Sequence, residues 1–227
     1  MNVSRRFLLI GMALVLLAAG ARADTFYVVV FGAESKPQRP KYSHSWATFV
    51  RIPDVVPNVV QPIRPVEIFT ISWFPEAVTL RPLAALPEPG ATFDLPTTFR
   101  VVLSQDEEVS AWGPYEIEEE LYGRAIQHKQ RLDSGAIQYK TIDITHDPMR
   151  VSNCIHALTV FIPDSHRVRI GRTNFGEVAS YYVTDSYRNR IVNVGQTQCG
   201  IADLLGLQQY PIRWRTLEEG RPRPRRE

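Results

Sequence analysis

The sequence predicts an α+β fold in which an antiparallel sheet packs against helices. Three short runs rich in aromatic and β-branched residues, 26–31, 45–52 and 66–74, are typical of strands. Two later stretches, 112–132 and 175–187, carry apolar residues at helical spacing and predict helices that cover the sheet. The chain has 227 residues, of which 44% are hydrophobic, so it is long enough for one domain with a substantial core.

The first residues predict export. Arg5-Arg6 precede an uncharged apolar run, 7–20, and Ala21-Arg22-Ala23 supplies the two small residues that precede a cleavage site. These are the three parts of a secretory signal peptide, so we expect cleavage after residue 23 and a periplasmic or cell-envelope location. An uncleaved anchor is the alternative, although the run is short for a membrane span. The domain is then expected over residues 24–220.

The charge distribution argues against nucleic-acid binding as the main role. Cleavage removes three arginines and no acidic residue, which leaves a slightly acidic body followed by the basic tail 221–227. We expect that tail to be disordered, with weak contact to anionic lipid or cell-wall polymer as an alternative. The five histidines show no metal-ligand spacing and no cofactor motif is present, so no metal or cofactor is expected.

The strands and helices follow one another with proline-rich connections between them. Prolines at either end of 53–65 and throughout 75–96 predict long irregular segments, the second with room for one strand. Residues 98–103 fit a strand or the start of a helix, and 136–144 alternates like a strand. Near the end of the chain, 201–207 predicts a short helix and 210–214 a docked segment.

The clearest helix prediction covers Trp112 to Leu132. Pro114 suits a first helical turn, the run of glutamates behind it favours a helix N-terminus, and Gly135 follows as a stop. Ile117, Leu121 and Ala125 supply the expected inner face. The glutamates are interpreted as a solvated surface rather than as catalytic acids.

Cys154 is the most reactive candidate in the sequence. Asn153 is a good helix N-cap, and Ile155, Leu158 and Phe161 recur at helical spacing. Cys154 is therefore expected in the first helical turn, where free N–H groups and the helix dipole favour a thiolate. Because the chain has only one other cysteine, Cys199, a disulfide between the two is the alternative in an exported protein.

The stretch His44-Ser45-Trp46 at the start of a strand, with a distant Asn153-Cys154-Ile155-His156, resembles lecithin retinol acyltransferase and the YiiX-like bacterial proteins. These form the circularly permuted branch of the NlpC-type papain-like family, in which the histidine precedes the cysteine. The resemblance covers roughly residues 42–163. It implies a permuted papain-like fold in which the cysteine opens a helix packed on the sheet.

The resemblance also implies roles for individual residues. Cys154 would be the nucleophile, with its own N–H as an oxyanion donor, and His44 the base. The family usually orients the base with a polar residue, often histidine, on the following strand. No histidine lies in 66–74, so Ser72, or Thr70 on the same face, is expected instead. Trp46 and Asn153 are the expected substrate-binding residues.

The remaining histidines are expected to have different roles. His146, beside Asp147, is the rival base, because it lies in the loop before the cysteine. His156 lies two positions past Cys154 on the helix and points away from it, so a structural role is expected. His128 and His166 are interpreted as surface residues.

Two function hypotheses follow. The first is an exported thiol hydrolase or acyltransferase that acts on an amide or ester carbonyl of a cell-wall peptide or a lipid. The second is a non-catalytic binding or structural domain of the cell envelope, with Cys154 bonded to Cys199.

Overall fold

The computed structural model describes residues 24–37, 39–54, 64–143, 146–147, 149–162 and 176–222. The predicted signal peptide, His166 and residues 223–227 of the predicted tail lie outside the described residues. Within these ranges the chain has a mixed α/β structure, as predicted. No described helix has both the length and the apolar character needed to cross a bilayer.

A five-stranded sheet forms the centre of the fold. Its strands are β1 (Thr25–Glu34), β2 (Ser43–Ile52), β3 (Glu67–Ile71), β6 (Glu108–Ile117) and β9 (Ile212–Arg215), in the spatial order β3-β2-β1-β6-β9. All neighbours are antiparallel except β6 and β9, which are parallel. The three predicted strands in the first third of the chain are confirmed, although the third one stops at Ile71 and a separate short strand follows.

Both faces of the sheet are buried, because successive side chains of a strand point to opposite sides. The first face carries Val28, Val30, Ala47 and Phe49 and belongs to one hydrophobic cluster. The second face carries residues that alternate with these, Val29, Phe31, Ala33 and Trp46, and belongs to another cluster. Each face is covered by its own set of helices.

The helices divide between these two faces. On the second face lie α1 (Leu95–Leu103) and α5 (Cys199–Leu204). The first face is covered by α2 (Glu119–Asp133), α3 (His156–Thr159) and α4 (Glu177–Ser186). Two small strand pairs complete the fold, β4 (Trp73–Pro75) with β5 (Gly90–Thr92), and β7 (Gln138–Tyr139) with β8 (Val151–Ser152).

Local signals account for several of these helices. Residues 98–103, which fitted a strand or a helix, are helical, because Asp94 caps α1 by accepting the N–H of Thr97 at 2.8 Å. The predicted helix over 175–187 is confirmed as α4. The strand expected over 136–144 is limited to the two residues of β7.

The prediction of a helix start at Trp112 is wrong. Residues 108–117 form β6, and helix α2 begins only at Glu119. Trp112 pairs with Val30 and Tyr115 with Val28, so the register shifts between them and leaves Gly113 and Pro114 in a bulge. Gly113 has φ 97°, which favours glycine, and the missing N–H of Pro114 removes no regular ladder bond there. Pairing with the central strand thus overrides a local sequence that resembles a helix start.

Candidate functional site

Cys154 lies close to where the sequence places it, in the turn immediately before the short helix α3. The side chain of Asn153 accepts the N–H groups of Ile155 at 2.9 Å and His156 at 2.8 Å. Its carbonyl accepts the N–H of Ala157 at 2.9 Å, which is the first helical hydrogen bond. Asn153 therefore caps the N–H groups of this turn, as predicted, and Cys154 lies in the turn that leads into α3, which begins at His156.

A buried carboxylate that the sequence analysis missed holds this turn in place. Asp143 accepts the backbone N–H of Asn153 at 2.9 Å and its side-chain N–H at 3.0 Å. The Nδ1 of His156 donates to the same carboxylate, at 2.7 Å to one oxygen and 2.8 Å to the other. All three residues are at most 2% exposed. His156 is thus engaged by Asp143, in keeping with the structural role expected for it.

The thiol of Cys154 is buried on the first face of the sheet. Only 8% of the residue is exposed, and the backbone N–H groups of Ser45, Cys154 and Ile155 near the sulfur act to lower its pKa. Burial nevertheless raises the pKa of the Cys154 thiol to about 11, and the charge of Asp143 adds a smaller increase. The expectation of a thiolate stabilised by the helix N-terminus is therefore wrong, because desolvation outweighs the backbone donors.

His44 is buried on the second face. Its ring stacks on Phe74 with centroids 3.7 Å apart and lies beside Trp46 at 5.6 Å. Its Nε2 is 3.0 Å from the hydroxyl of Ser72, whereas no described residue hydrogen-bonds to its Nδ1. Burial lowers the pKa of His44 to about 3, so the imidazole is neutral at physiological pH. The expected contact between His44 and Ser72 is thus present, but it lies in an apolar environment.

The expected pairing of Cys154 with His44 is not present. His44 and Ser45 are consecutive in β2, so their side chains leave the sheet on opposite sides, and the one on the Cys154 side belongs to Ser45. Within the described part of the chain, no imidazole is hydrogen-bonded to the Cys154 sulfur. The strand and the helix were predicted correctly, but Ser45, whose backbone N–H lies near the thiol, has its side chain on that face of the sheet, and His44 has its side chain on the other.

Ser45 cannot replace the imidazole as a base. Its hydroxyl is 2.8 Å from that of Ser180 on α4, and Ser180 in turn donates to the carbonyl of Phe31 at 2.8 Å. Since the proton of Ser180 is directed at Phe31, Ser45 is the donor in the first bond. A neutral hydroxyl used in this way has no tendency to take a proton from a thiol near neutral pH.

Trp46 and Asn153, the two residues expected to bind substrate, have structural positions. Trp46 is fully buried on the second face and stacks on Phe31 with centroids 5.1 Å apart. Asn153 is 2% exposed and uses its side chain for the helix cap and for Asp143. Neither presents a surface to a ligand in this structure.

The other histidines also differ from expectation in part. His128 is buried, 3% exposed, so its assignment to the surface is wrong; burial, and secondarily Arg131, lowers its pKa to about 4. His146, the rival base, lies in the turn that follows Asp143, where its N–H bonds to the Asp143 carbonyl at 2.9 Å.

The alternative of a disulfide is not found either. Both cysteines are free, Cys154 buried on the first face and Cys199 exposed at the start of α5, which packs toward the second face. Among the described residues, no three His, Cys, Asp or Glu side chains are grouped in a way that could hold a metal ion. The site therefore consists of an isolated thiol in a firmly held turn.

The chain was compared with models of protein families, with curated proteins and with solved structures, and none of the three comparisons gave a match. The resemblance to the permuted papain-like branch thus rests on the two short sequence motifs.

Replacing Asn153 with alanine should destabilise the protein. The change removes the acceptor of two helix N–H groups and leaves the buried Asp143 without one of its donors, so we expect a loss of roughly 2–4 kcal/mol. Urea unfolding of the variant measures it. The exposed Asn193, which also accepts a backbone N–H, gives a matched control in Asn193→Ala, expected to lose less than about 1 kcal/mol. Equal losses for the two variants would refute the role of Asn153.

Proposed function

We propose that this chain is an exported, non-catalytic domain that keeps a permuted papain-like type of fold without a working catalytic pair. One observation carries the proposal. The residue of β2 that lies beside the Cys154 thiol is Ser45, while the only histidine of that strand, His44, lies on the other face. The exported location belongs to the proposal and rests on the pattern of residues 1–23.

The electrostatics at the two residues support the same proposal. Thiol nucleophiles attack as thiolates, and a base or a strongly positive environment normally produces the thiolate. With a thiol pKa of about 11 and an imidazole pKa of about 3, Cys154 and His44 are both neutral at physiological pH. A thiolate–imidazolium pair would require both shifts to be reversed. Such a domain would act by binding, to a cell-wall or membrane-surface partner.

A thiol hydrolase or acyltransferase remains the second candidate, for one specific reason. The sulfur of Cys154 lies among three backbone N–H groups, and such groups also stabilise the oxyanion of an acyl-transfer intermediate. In this mechanism the thiolate would attack an amide or ester carbonyl of a peptide or lipid and form a thioester as the C–N or C–O bond breaks and the amine or alcohol leaves with a proton. Water or a second acceptor would then release the acyl group from the sulfur. The step would need a proton acceptor that neither Ser45 nor His44 supplies in the described arrangement.

An activated ester distinguishes the two candidates. We expect p-nitrophenyl acetate to be cleaved at the same rate by the protein and by its Cys154→Ala variant, both carrying Cys199→Ser so that the exposed thiol does not contribute. A burst of nitrophenol that depends on Cys154 and is reduced in a His44→Ala variant would overturn the non-catalytic proposal and establish the thiol enzyme.

A further inference from the structure

A cleft of about 810 Å³ opens at the end of the sheet where β6 and β9 begin. Val109, Tyr210, Pro211 and Ile212 form its apolar wall. Tyr210 is held by a parallel stack on Phe99, with ring centroids 3.8 Å apart and planes 4° from parallel. The cleft shares no residue with the Cys154 turn, and the inference drawn from it does not depend on the proposed function.

A buried carboxyl group without a partner lies in this cleft. Glu107 is only 6% exposed, and its Oε2 has no hydrogen-bond partner among the described residues. Its backbone is fixed by an N–H bond to the carbonyl of Val102 in helix α1. Buried carboxylates are almost always paired or hydrogen-bonded, so a buried and unpartnered oxygen in a cleft indicates a position that a ligand can fill.

The cations at the mouth of the cleft are directed at a different carboxylate. Lys36 forms an ion pair with Glu108, and Arg213 lies 3.6 Å from the same carboxylate and 3.9 Å from Glu177. Glu177 is also paired with Arg215 at 2.7 Å. Lys36 and Arg213 thus share the Glu108 carboxylate, while Arg215 pairs with both Glu177 and Glu219. The side chains of Lys36 and Arg213 are 60% and 41% exposed, so both keep N–H groups accessible from the cleft.

We propose that this cleft binds a small ligand with both an ammonium and a carboxylate group, such as a free amino acid, with the ammonium on Glu107 and the carboxylate on Lys36 and Arg213. The ammonium supplies the hydrogen-bond donor and the positive charge that Glu107 lacks. The ligand carboxylate would bind the exposed N–H groups of Lys36 and Arg213 beside Glu108. An apolar side chain of the ligand would lie against Tyr210 and Ile212.

This arrangement makes binding depend on pH. Burial raises the pKa of Glu107 to about 8, so the free protein holds this carboxyl largely protonated at neutral pH. The charged or titratable groups around it in the cleft are Lys36, Glu108, Tyr210 and Arg213. An ammonium ligand requires the ionised carboxylate, so each unit of pH below about 8 should weaken binding by up to roughly tenfold, with release of a proton.

Three related probes test the proposal at pH 8, each in a calorimetric titration of the whole protein. L-phenylalanine carries both charged groups, phenethylamine lacks the carboxylate, and 3-phenylpropionate lacks the ammonium. We expect L-phenylalanine to bind at least roughly tenfold more tightly than either analogue. Glu107→Gln should weaken L-phenylalanine and phenethylamine by roughly tenfold or more and leave 3-phenylpropionate unchanged.

The controls separate loss of a contact from loss of structure. Lys36→Gln should weaken L-phenylalanine and 3-phenylpropionate but not phenethylamine, and Glu76→Gln, which removes a charge from an exposed position elsewhere, should change nothing. Thermal unfolding of each variant verifies that it is folded. Equal binding of the three probes, no binding of any up to about 50 mM, or an unchanged affinity in Glu107→Gln would each overturn the proposal.

Discussion

At pH 9 the Glu107→Gln variant should be more stable than the parent protein by roughly 3–5 kcal/mol, and at pH 4.5 the difference should nearly vanish. Burial without a partner raises the pKa of Glu107 from its ordinary value of 4.5 to about 8. The folded protein therefore holds this proton more tightly than the unfolded chain does. Stability from Glu107 is fully present below pH 4.5 and is lost as the pH rises toward 8.

Urea unfolding at a series of pH values measures this effect. Glutamine has nearly the same shape as the protonated carboxyl and no charge at any pH, so the fall in stability between pH 4.5 and 8 should be much smaller in the variant. Glu76→Gln, at an exposed position, should follow the parent protein over the whole range. If parent and Glu107→Gln curves stay parallel, Glu107 is not a buried, unpartnered carboxyl.

The parts of the fold that the sequence predicted are those that local patterns determine. Runs such as 26–31 form strands wherever they pair, because their side chains need burial on both faces. The capping contacts of Asn153 depend only on the residues that follow it, so they were predicted correctly, although the helix itself begins at His156. Helix α4 likewise shows its inner face in its own spacing.

The errors come from contacts between distant residues. Pro114 and the glutamates after it resemble a helix start, but residues 108–117 pair with β1 and form a bulged strand. Nothing in the sequence next to Asp143 indicates that it belongs to the site. The hydrogen-bond donors to its carboxylate lie later in the chain, on Asn153 and His156. Long-range pairing of this kind overrides local preference.

The face of the sheet on which His44 lies could not be predicted from the sequence. Strand β2 is buried on both faces, so its sequence does not tell which alternate set of side chains meets the helix of Cys154. If the register of β2 were shifted by one residue, the His44 side chain would lie on the face of the thiol in place of the Ser45 side chain. The motif can therefore be present in sequence while the two reactive groups lie on opposite sides of the sheet.

The ionisation of Cys154 should differ strongly from that of an ordinary thiol. Burial raises the pKa of Cys154 to about 11, so the thiolate fraction at pH 7 should be at least roughly a hundredfold below that of a free cysteine. A raised thiol pKa also disfavours the folded state at high pH, because the unfolded chain ionises first. The free energy of unfolding should therefore fall as the pH rises above about 8.5.

The thiolate absorbance of Cys154 against pH, in Cys199→Ser protein, tests most directly whether Cys154 and His44 form a catalytic pair. Absorbance is an equilibrium measurement and does not depend on how well a reagent enters the buried site. We expect no appreciable thiolate below about pH 9.5 and no change in a His44→Ala variant. An apparent pKa below about 8.5 that His44→Ala raises would contradict the account and show that the two residues act together.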